Sequence, residues 1–216
     1  ALITIYAPYN QLTSLDVSKN TALQHLTLHD NQLTSLDVSS NTALTYLDCQ
    51  SNQLTGLDVS SNTALTYLHC SENKLTSLDV SNNTALKDLQ IWDNQLTSLD
   101  MSNNTALTYL NCGGNQLTSL NVSSNTALTF LACDFNNQLT NLDVSSNTAL
   151  TELICGYNQL ASLDVSSNTA LEVLHCNDNQ LTYLNMRNGV TDSLTIFDAT
   201  NNPNLTCIET LDPAYA

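Results

Sequence analysis

The chain repeats itself every 21 residues. Leu44 to Ala64 reads LTYLDCQSNQLTGLDVSSNTA. Nearly the same string returns from Leu65 as LTYLHCSENKLTSLDVSNNTA and from Leu107 as LTYLNCGGNQLTSLNVSSNTA. Units open at Leu2, Leu23, Leu44, Leu65, Leu86, Leu107, Leu128, Leu150, Leu171 and, with a degraded pattern, Leu194. A fixed period in the twenties specifies a solenoid, because a unit that short buries its apolar residues only against its neighbours. The repeat outweighs the length of 216 residues, which alone would suit one or two globular domains.

Each unit has two near-equal halves. The first reads L-x-x-L-x-C-x-x-N-Q, as in Leu44, Leu47, Cys49 and Asn52. The second reads L-x-x-L-D-V-S-x-N-T-A, as in Leu54, Leu57, Val59, Asn62 and Ala64. The L-x-C and L-x-V triplets alternate in and out, which is strand periodicity. About ten residues per half leave no room for a stable helix. The expectation is a mostly-β solenoid of about ten coils with little or no helix. It has a short strand in each half and two parallel sheets facing across a Leu/Val/Cys core. At about 4.8 Å per coil the stack spans on the order of 45 Å.

Two Asn columns fit that plan. One runs Asn10, Asn31, Asn52, Asn73, Asn94, Asn115, Asn137, Asn158 and Asn179; the other runs from Asn20 through Asn41, Asn62 and Asn83 to Asn168. Asn carries both a donor and an acceptor, so each is expected to satisfy backbone groups of its own turn and of the next coil. The pattern breaks twice. Cys133 to Leu139 carries one extra residue, read as a bulge that pushes Phe135 outward. After Met186 the repeat decays, with Gly189 in place of Asn and with Pro203 and Pro213. Residues 1–186 are therefore read as the solenoid and 187–216 as an irregular last coil and C-terminal cap. The chain opens inside a repeat at Ala1-Leu2, so its first coil is read as truncated.

The pattern LxxLxCxxNQLTxLDVSxNTA resembles bacterial leucine-rich repeats of the short, doubly periodic (IRREKO) type, above all those in surface proteins of Bacteroidetes-like bacteria. The resemblance covers essentially the whole chain, and Phe197-Asp-Ala-Thr-Asn-Asn-Pro-Asn-Leu-Thr-Cys207-Ile looks like the end of such arrays. It implies a leucine-rich-repeat solenoid that is secreted or held at the cell surface, often as a module of a longer protein with a C-terminal sorting domain. Neither a signal peptide nor a sorting domain is legible here. Asp192-Ser193-Leu194 is similar to the Asp-Ser/Thr-aliphatic site that such bacteria O-glycosylate.

Charge narrows the partners. The net charge is −16, and Lys19, Lys74, Lys87 and Arg187 are the only fixed cations. Phosphate backbones and anionic lipid surfaces need clustered Lys and Arg, so neither nucleic acid nor a membrane surface is expected. No apolar stretch approaches the roughly 18 residues of a membrane span. Of seven Cys, six (Cys49, Cys70, Cys112, Cys133, Cys155 and Cys176) share one inward column with Leu28 and Ile91. A site that also takes Leu and Ile wants a small apolar group, and free Cys behaves as one. Residues stacked in register point their Cβ atoms the same way, which suits no disulfide. No CxxC or HxxxH spacing suggests zinc, and no cofactor is expected. Cys207 has no evident partner.

Coils of one chain can be compared with each other. Positions the fold needs stay fixed; positions a ligand touches are free to differ. The second half barely varies outside, showing Ser and Asp. The first half varies in one outward column, Thr4, His25, Tyr46, Tyr67, Asp88, Tyr109, Phe130, Glu152 and Val173. It varies again in the next, Tyr6, Thr27, Asp48, His69, Gln90, Asn111, Ala132, Ile154 and His175. Trp92, Phe135 and Tyr157 flank these columns. Aromatics give large contact area at low entropy cost. The candidate ligand-binding residues are therefore Tyr46, Tyr67, His69, Asp88, Trp92, Tyr109, Phe130, Phe135, Glu152 and Tyr157. The competing reading is plain cross-strand stabilisation.

The expected function is a non-catalytic extracellular binding or adhesion module for a protein or glycan ligand. The alternative is a purely structural spacer. Ice binding through Thr42, Thr63, Thr84, Thr105 and Thr126 is a remote third. The Asp column, Asp16, Asp37, Asp58, Asp79, Asp100, Asp143 and Asp164, is read as a solvated, Ser-bonded acidic face, with weak calcium binding as its alternative. No convergent Ser/His/Asp set or glycine-rich phosphate loop points to an enzyme; Gly113-Gly114 stands alone.

Overall fold

The computed structural model describes residues 1–190 and 194–211. Asp192 and Ser193 of the glycosylation-like tripeptide, and Pro213, lie outside the described residues. Ten three-residue strands form one all-parallel sheet in chain order. They are Thr4–Tyr6, His25–Thr27, Tyr46–Asp48, Tyr67–His69, Asp88–Gln90, Tyr109–Asn111, Phe130–Ala132, Glu152–Ile154, Val173–His175 and Ile196–Asp198. Ser162–Asp164, Tyr183–Met186 and Ile208–Thr210 form a second, three-stranded parallel sheet. No helix occurs among the described residues.

Each middle Leu of a first-half strand points inward. Leu47, Leu68, Leu89, Leu110 and Leu131 are fully buried, as are Cys49, Val59 and their equivalents. A coil of about ten residues per half cannot enclose these side chains alone, so the shared column is what removes them from water.

The second half departs from the expectation of a strand in every coil. Before Ser162 its L-D-V triplets form no ladder. The carbonyl that ends each triplet is bonded at its own turn and to the next coil: that of Val59 takes the Asn62 backbone amide at 2.9 Å and the Asn83 side-chain amide at 3.0 Å.

The two Asn columns work differently. In the first, the Asn73 Nδ2 donates to Cys49 O of the preceding coil at 3.1 Å and to Cys70 O of its own coil at 3.2 Å. Its Oδ1 accepts from the Leu54 amide at 2.9 Å. Asn73 Nδ2 also donates to Ser71 O at 3.0 Å, so this side chain is fixed in its own turn and reaches the preceding coil through one donor bond and one acceptor bond. In the second column only the donor end is used: Asn62 Nδ2 meets Val38 O at 3.0 Å and Asn41 O at 2.9 Å, while Asn62 Oδ1 has no partner.

The insertion falls one residue later than the sequence suggests. Asn136, not Asn137, takes the ladder position, with Nδ2 on Cys133 O at 2.9 Å and Oδ1 on the Leu117 amide at 3.0 Å. Asn137 is the extra residue, exposed and at φ 59°. Phe135 faces outward because its column does so in every coil, not because of the bulge. The insertion does displace Leu139, so Asn158 Oδ1 is buried without the bond its equivalents make.

Beyond Met186, Ile196–Asp198 adds a strand to the first sheet and Ile208–Thr210 one to the second. The exposed Thr42, Thr63, Thr84, Thr105 and Thr126 lie in turns rather than on a strand face.

These ladders set up a comparison. Asn73→Ala removes the Leu54 bond as well as the Cys carbonyl bonds; Asn158→Ala removes only the latter. By denaturant unfolding, Asn73→Ala should be the more destabilising, by about 1 kcal/mol. Equal losses would mean that the acceptor bond contributes nothing.

Candidate functional site

The central outward column stays in perfect register across the ten-stranded sheet, pairing Tyr46 with Tyr67, Tyr67 with Asp88, Asp88 with Tyr109 and Tyr109 with Phe130. Because parallel strands hold equivalent residues one coil apart, their rings meet face to face. Tyr46 and Tyr67 stack with centroids 4.2 Å apart and planes 1° from parallel. Tyr109 and Phe130 stack at 4.1 Å and 3°. His25 continues the first stack at 5.9 Å from Tyr46. Asp88 separates the two pairs, and Glu152 follows Phe130. These aromatics are half-buried, so their edges remain open to solvent. Burial pushes the Asp88 carboxyl up, although the Gln90 side-chain amide, donating at 3.1 Å, pulls the other way. Burial likewise raises the phenols of Tyr46, Tyr67 and Tyr109.

The second outward column is not open as the alternation predicts. Thr27, Asp48, His69 and Ala132 are buried on this face. At His69 the reason is crowding by the ring beside it. The Tyr67 ring stands edge-on to the His69 ring at 6.3 Å, with its hydroxyl 3.4 Å from His69 Nδ1. His69 is only 8% exposed and its Nε2 has no partner, so it supports Tyr67 rather than offering a contact of its own. Its Nδ1 lies 3.8 Å from Asp48 Oδ1. Burial pushes the Asp48 carboxyl up and the His69 imidazole down, each partly offset by the other's charge.

Along the turn edge of the sheet runs a column that the sequence reading did not isolate. Asp30, Ser51, Glu72, Asp93, Gly114, Phe135, Tyr157 and Asp178 all sit at positive φ, between 49° and 61°. The Asn ladder requires this left-handed turn in every coil, and side chains accept it at a cost of roughly 1–2 kcal/mol each. The identity of the residue is otherwise free, and the column varies accordingly. Phe135 and Tyr157 are among its exposed members and stack at 4.1 Å. Trp92 sits one residue earlier in the turn and is half-exposed. Between Trp92 and Phe135 the rung is Gly113-Gly114, and a cavity of about 370 Å³ opens there, lined also by Asp93, Asn111 and Asp134. Burial pushes the Asp134 carboxyl up, and the nearby Asp93 charge pushes the same way. The one legible signal for this feature was the isolated Gly-Gly pair.

The opposite face is uniform. Asp16, Asp37, Asp58, Asp79, Asp100, Asp143 and Asp164 each accept the amide of the Ser two residues on at 2.9 Å. Asn121 does the same for Ser123 at 3.0 Å. Bonds from these Ser residues hold the column's carboxyls below the usual range, Asp164 with burial opposing. Each carboxylate thus serves its own turn. No cluster of three or more His, Cys, Asp or Glu suited to a metal ion occurs among the described residues. The six inward Cys are free and buried, and Cys207 is free and exposed. Burial pushes the Cys70, Cys112 and Cys176 thiols up to about 12.

No protein-family profile and no curated protein matches the sequence. Solved structures do match. The functional domain of InlJ from Listeria monocytogenes, described as including a cysteine ladder, is 38% identical over 96% of this chain, with a TM-score of 0.78. The chain spans half the length of that domain, 50% of it. The Leptospira interrogans leucine-rich-repeat protein LIC12759 matches at 22% identity over 93% of this chain and 70% of its own, with a TM-score of 0.69. The leucine-rich-repeat ectodomain of the Arabidopsis thaliana receptor kinase GASSHO1/SCHENGEN3, solved in complex with CASPARIAN STRIP INTEGRITY FACTOR 2, matches at 25% identity over 90% of this chain and 26% of its own, with a TM-score of 0.75. The chain is a leucine-rich-repeat solenoid of about ten coils.

Thiol chemistry reads out the inward column. In native protein a disulfide reagent should titrate Cys207 rapidly and the other six only after denaturant is added. Several fast native thiols would contradict the packing. Asp134 offers a pH test. Its folded pKa is raised, so ionisation opposes folding above that value and the penalty disappears as pH falls to the unfolded value. Asp134→Asn should therefore raise the Tm at pH 7, and the gain should vanish in acid; a lower Tm at pH 7 would refute this.

Proposed function

We propose that the ten-stranded face is the recognition surface of a non-catalytic, extracellular protein-binding module. The observation that carries it is confinement. Stacked Tyr46/Tyr67 and Tyr109/Phe130, with Asp88 and Glu152 between and after them, occupy one face, while the opposite face repeats Ser and Asp in nearly every coil. The fold needs only the Leu, Cys, Val and Asn positions, so variation on one flank is free to serve a ligand. The solved complex of the plant ectodomain supports a protein rather than a glycan as the first ligand class to test. Secretion to a bacterial cell surface is supported by the resemblance of the repeats to those of surface proteins, and residues 187–216 are read as the closing coil and cap. Tyr46, Tyr67, Asp88, Tyr109, Phe130 and Glu152 form the centre of the surface. Trp92, Phe135 and Tyr157 form its turn-side border.

A rigid spacer remains the rival reading, and it gives no reason for aromatics on one face. Screening the chain against an array of purified extracellular proteins and glycans would separate the two. Binding to any hit should fall at least tenfold in Tyr67→Ala/Tyr109→Ala and stay within twofold in Ser35→Ala/Ser77→Ala on the uniform face. Hits that ignore both tyrosines would refute the assignment of this face.

A further inference from the structure

The turn-side edge holds a gap shaped by a missing rung. Where Tyr or Phe rings occupy consecutive coils of one column, their centroids lie 4.1 to 4.2 Å apart. At Gly113-Gly114 one coil carries no side chain, and the cavity beside it is partly filled by the carboxylates of Asp93 and Asp134. Trp92 borders that space from the preceding coil and Phe135 from the following one. Two carboxylates lean into it. A Cβ at Gly113 would lie 2.6 Å from Asp134 Oδ1, and one at Gly114 would collide with Asp93 Oδ1. Glycine is thus required at both positions for the acids to sit where they do, and Gly114 also holds φ at 61°.

Neither acid is neutralised. Among the described residues the ion pairs are His29–Asp30, His69–Asp48 and Arg187–Glu209, and none involves Asp93 or Asp134. The Asp134 carboxylate makes no ion pair, although a charged His175 nearby favours its ionised form. Two unpaired carboxylates, one of them half-buried, beside two aromatic rings make a site of strongly negative potential. The same alternation of acid and ring recurs nearby, where Asp88 lies between Tyr67 and Tyr109.

We propose that this notch receives an arginine side chain of a protein ligand. A cavity lined by two rings and two acids calls for a cation that can meet both, and the guanidinium is planar, stacks on aromatic faces and forks onto carboxylates. An ammonium matches the charge but not the shape. The inference rests on the reading of the ten-stranded face as a protein-binding surface and specifies one anchor on it.

Trp92 is the only Trp in the chain, so its fluorescence reports on the notch directly. The probe is the peptide acetyl-Gly-Ser-Gly-Arg-Gly-Ser-Gly-amide, titrated at moderate salt beside its Lys and citrulline counterparts. Arg should give a saturable change in emission, Lys a binding constant at least threefold weaker, and citrulline, flat but uncharged, no saturation. Asp93→Asn/Asp134→Asn should weaken the Arg peptide at least tenfold. Asp16→Asn/Asp37→Asn, which removes the same charge from the uniform face, should leave it unchanged. Circular dichroism and Tm confirm that each variant is folded. Equal responses to Arg and citrulline, or to Arg and Lys, would overturn the proposal. So would equal losses in the two Asp pairs, or no loss in the first. If the peptide fails while an array hit still depends on Tyr67 and Tyr109, the notch is refuted and the binding face stands.

Discussion

The structure depends on one side chain used the same way in successive coils. An Asn amide at the turn donates to the carbonyl of its own coil and to that of the coil before, and in most coils accepts the amide of the preceding coil's Leu. A buried amide left unbonded costs about 1–3 kcal/mol, so a coil shifted out of register would lose several such bonds together. The ladder therefore fixes where each coil sits on the last. The Leu and Cys columns, fully buried, then supply the apolar burial that makes stacking favourable. Geometry comes from the Asn and driving force from the core.

This division of labour explains why one flank is available for recognition. The Asn turn demands a left-handed residue in each coil but does not specify its side chain. The strand demands an inward Leu but leaves its two neighbours open. Aromatics placed at those open positions stack because the parallel register brings them within 4.2 Å, without any further adjustment of the backbone. The acids that interrupt the rings are half-exposed, and partial burial raises the carboxyls of Asp88 and Asp134.

Much of this was legible in the sequence because it repeats. The period gave the coil, the alternation L-x-C gave the strand and its inward face, and the Tyr46, Tyr67, Tyr109 and Phe130 column gave the half-buried aromatics of the sheet face. What escaped was whatever depends on neighbours across coils or on the backbone's handedness. His69 alternates outward like Tyr67 but is covered by it. The second-half triplet reads as a strand, yet only three coils build a ladder. In the inserted coil two adjacent Asn residues compete for one position, and spacing alone could not choose Asn136 over Asn137. The positive φ of Asp93, Phe135 and Tyr157 has no signal in residues that rarely adopt it.

The central claim is that the fold is fixed by its Asn, Leu and Cys columns and that the aromatic and acidic column is spare to it. The most direct measurement replaces Tyr46, Tyr67, Asp88, Tyr109, Phe130 and Glu152 together with Thr, a residue that suits a strand, and follows equilibrium unfolding by circular dichroism. The account predicts a native-like spectrum and a single cooperative transition, with a loss confined to the aromatic stacking, about 0.5–1.5 kcal/mol per pair beyond area burial, and the burial of the rings themselves. Loss of the cooperative transition would show that the column holds the solenoid together, and would contradict the account.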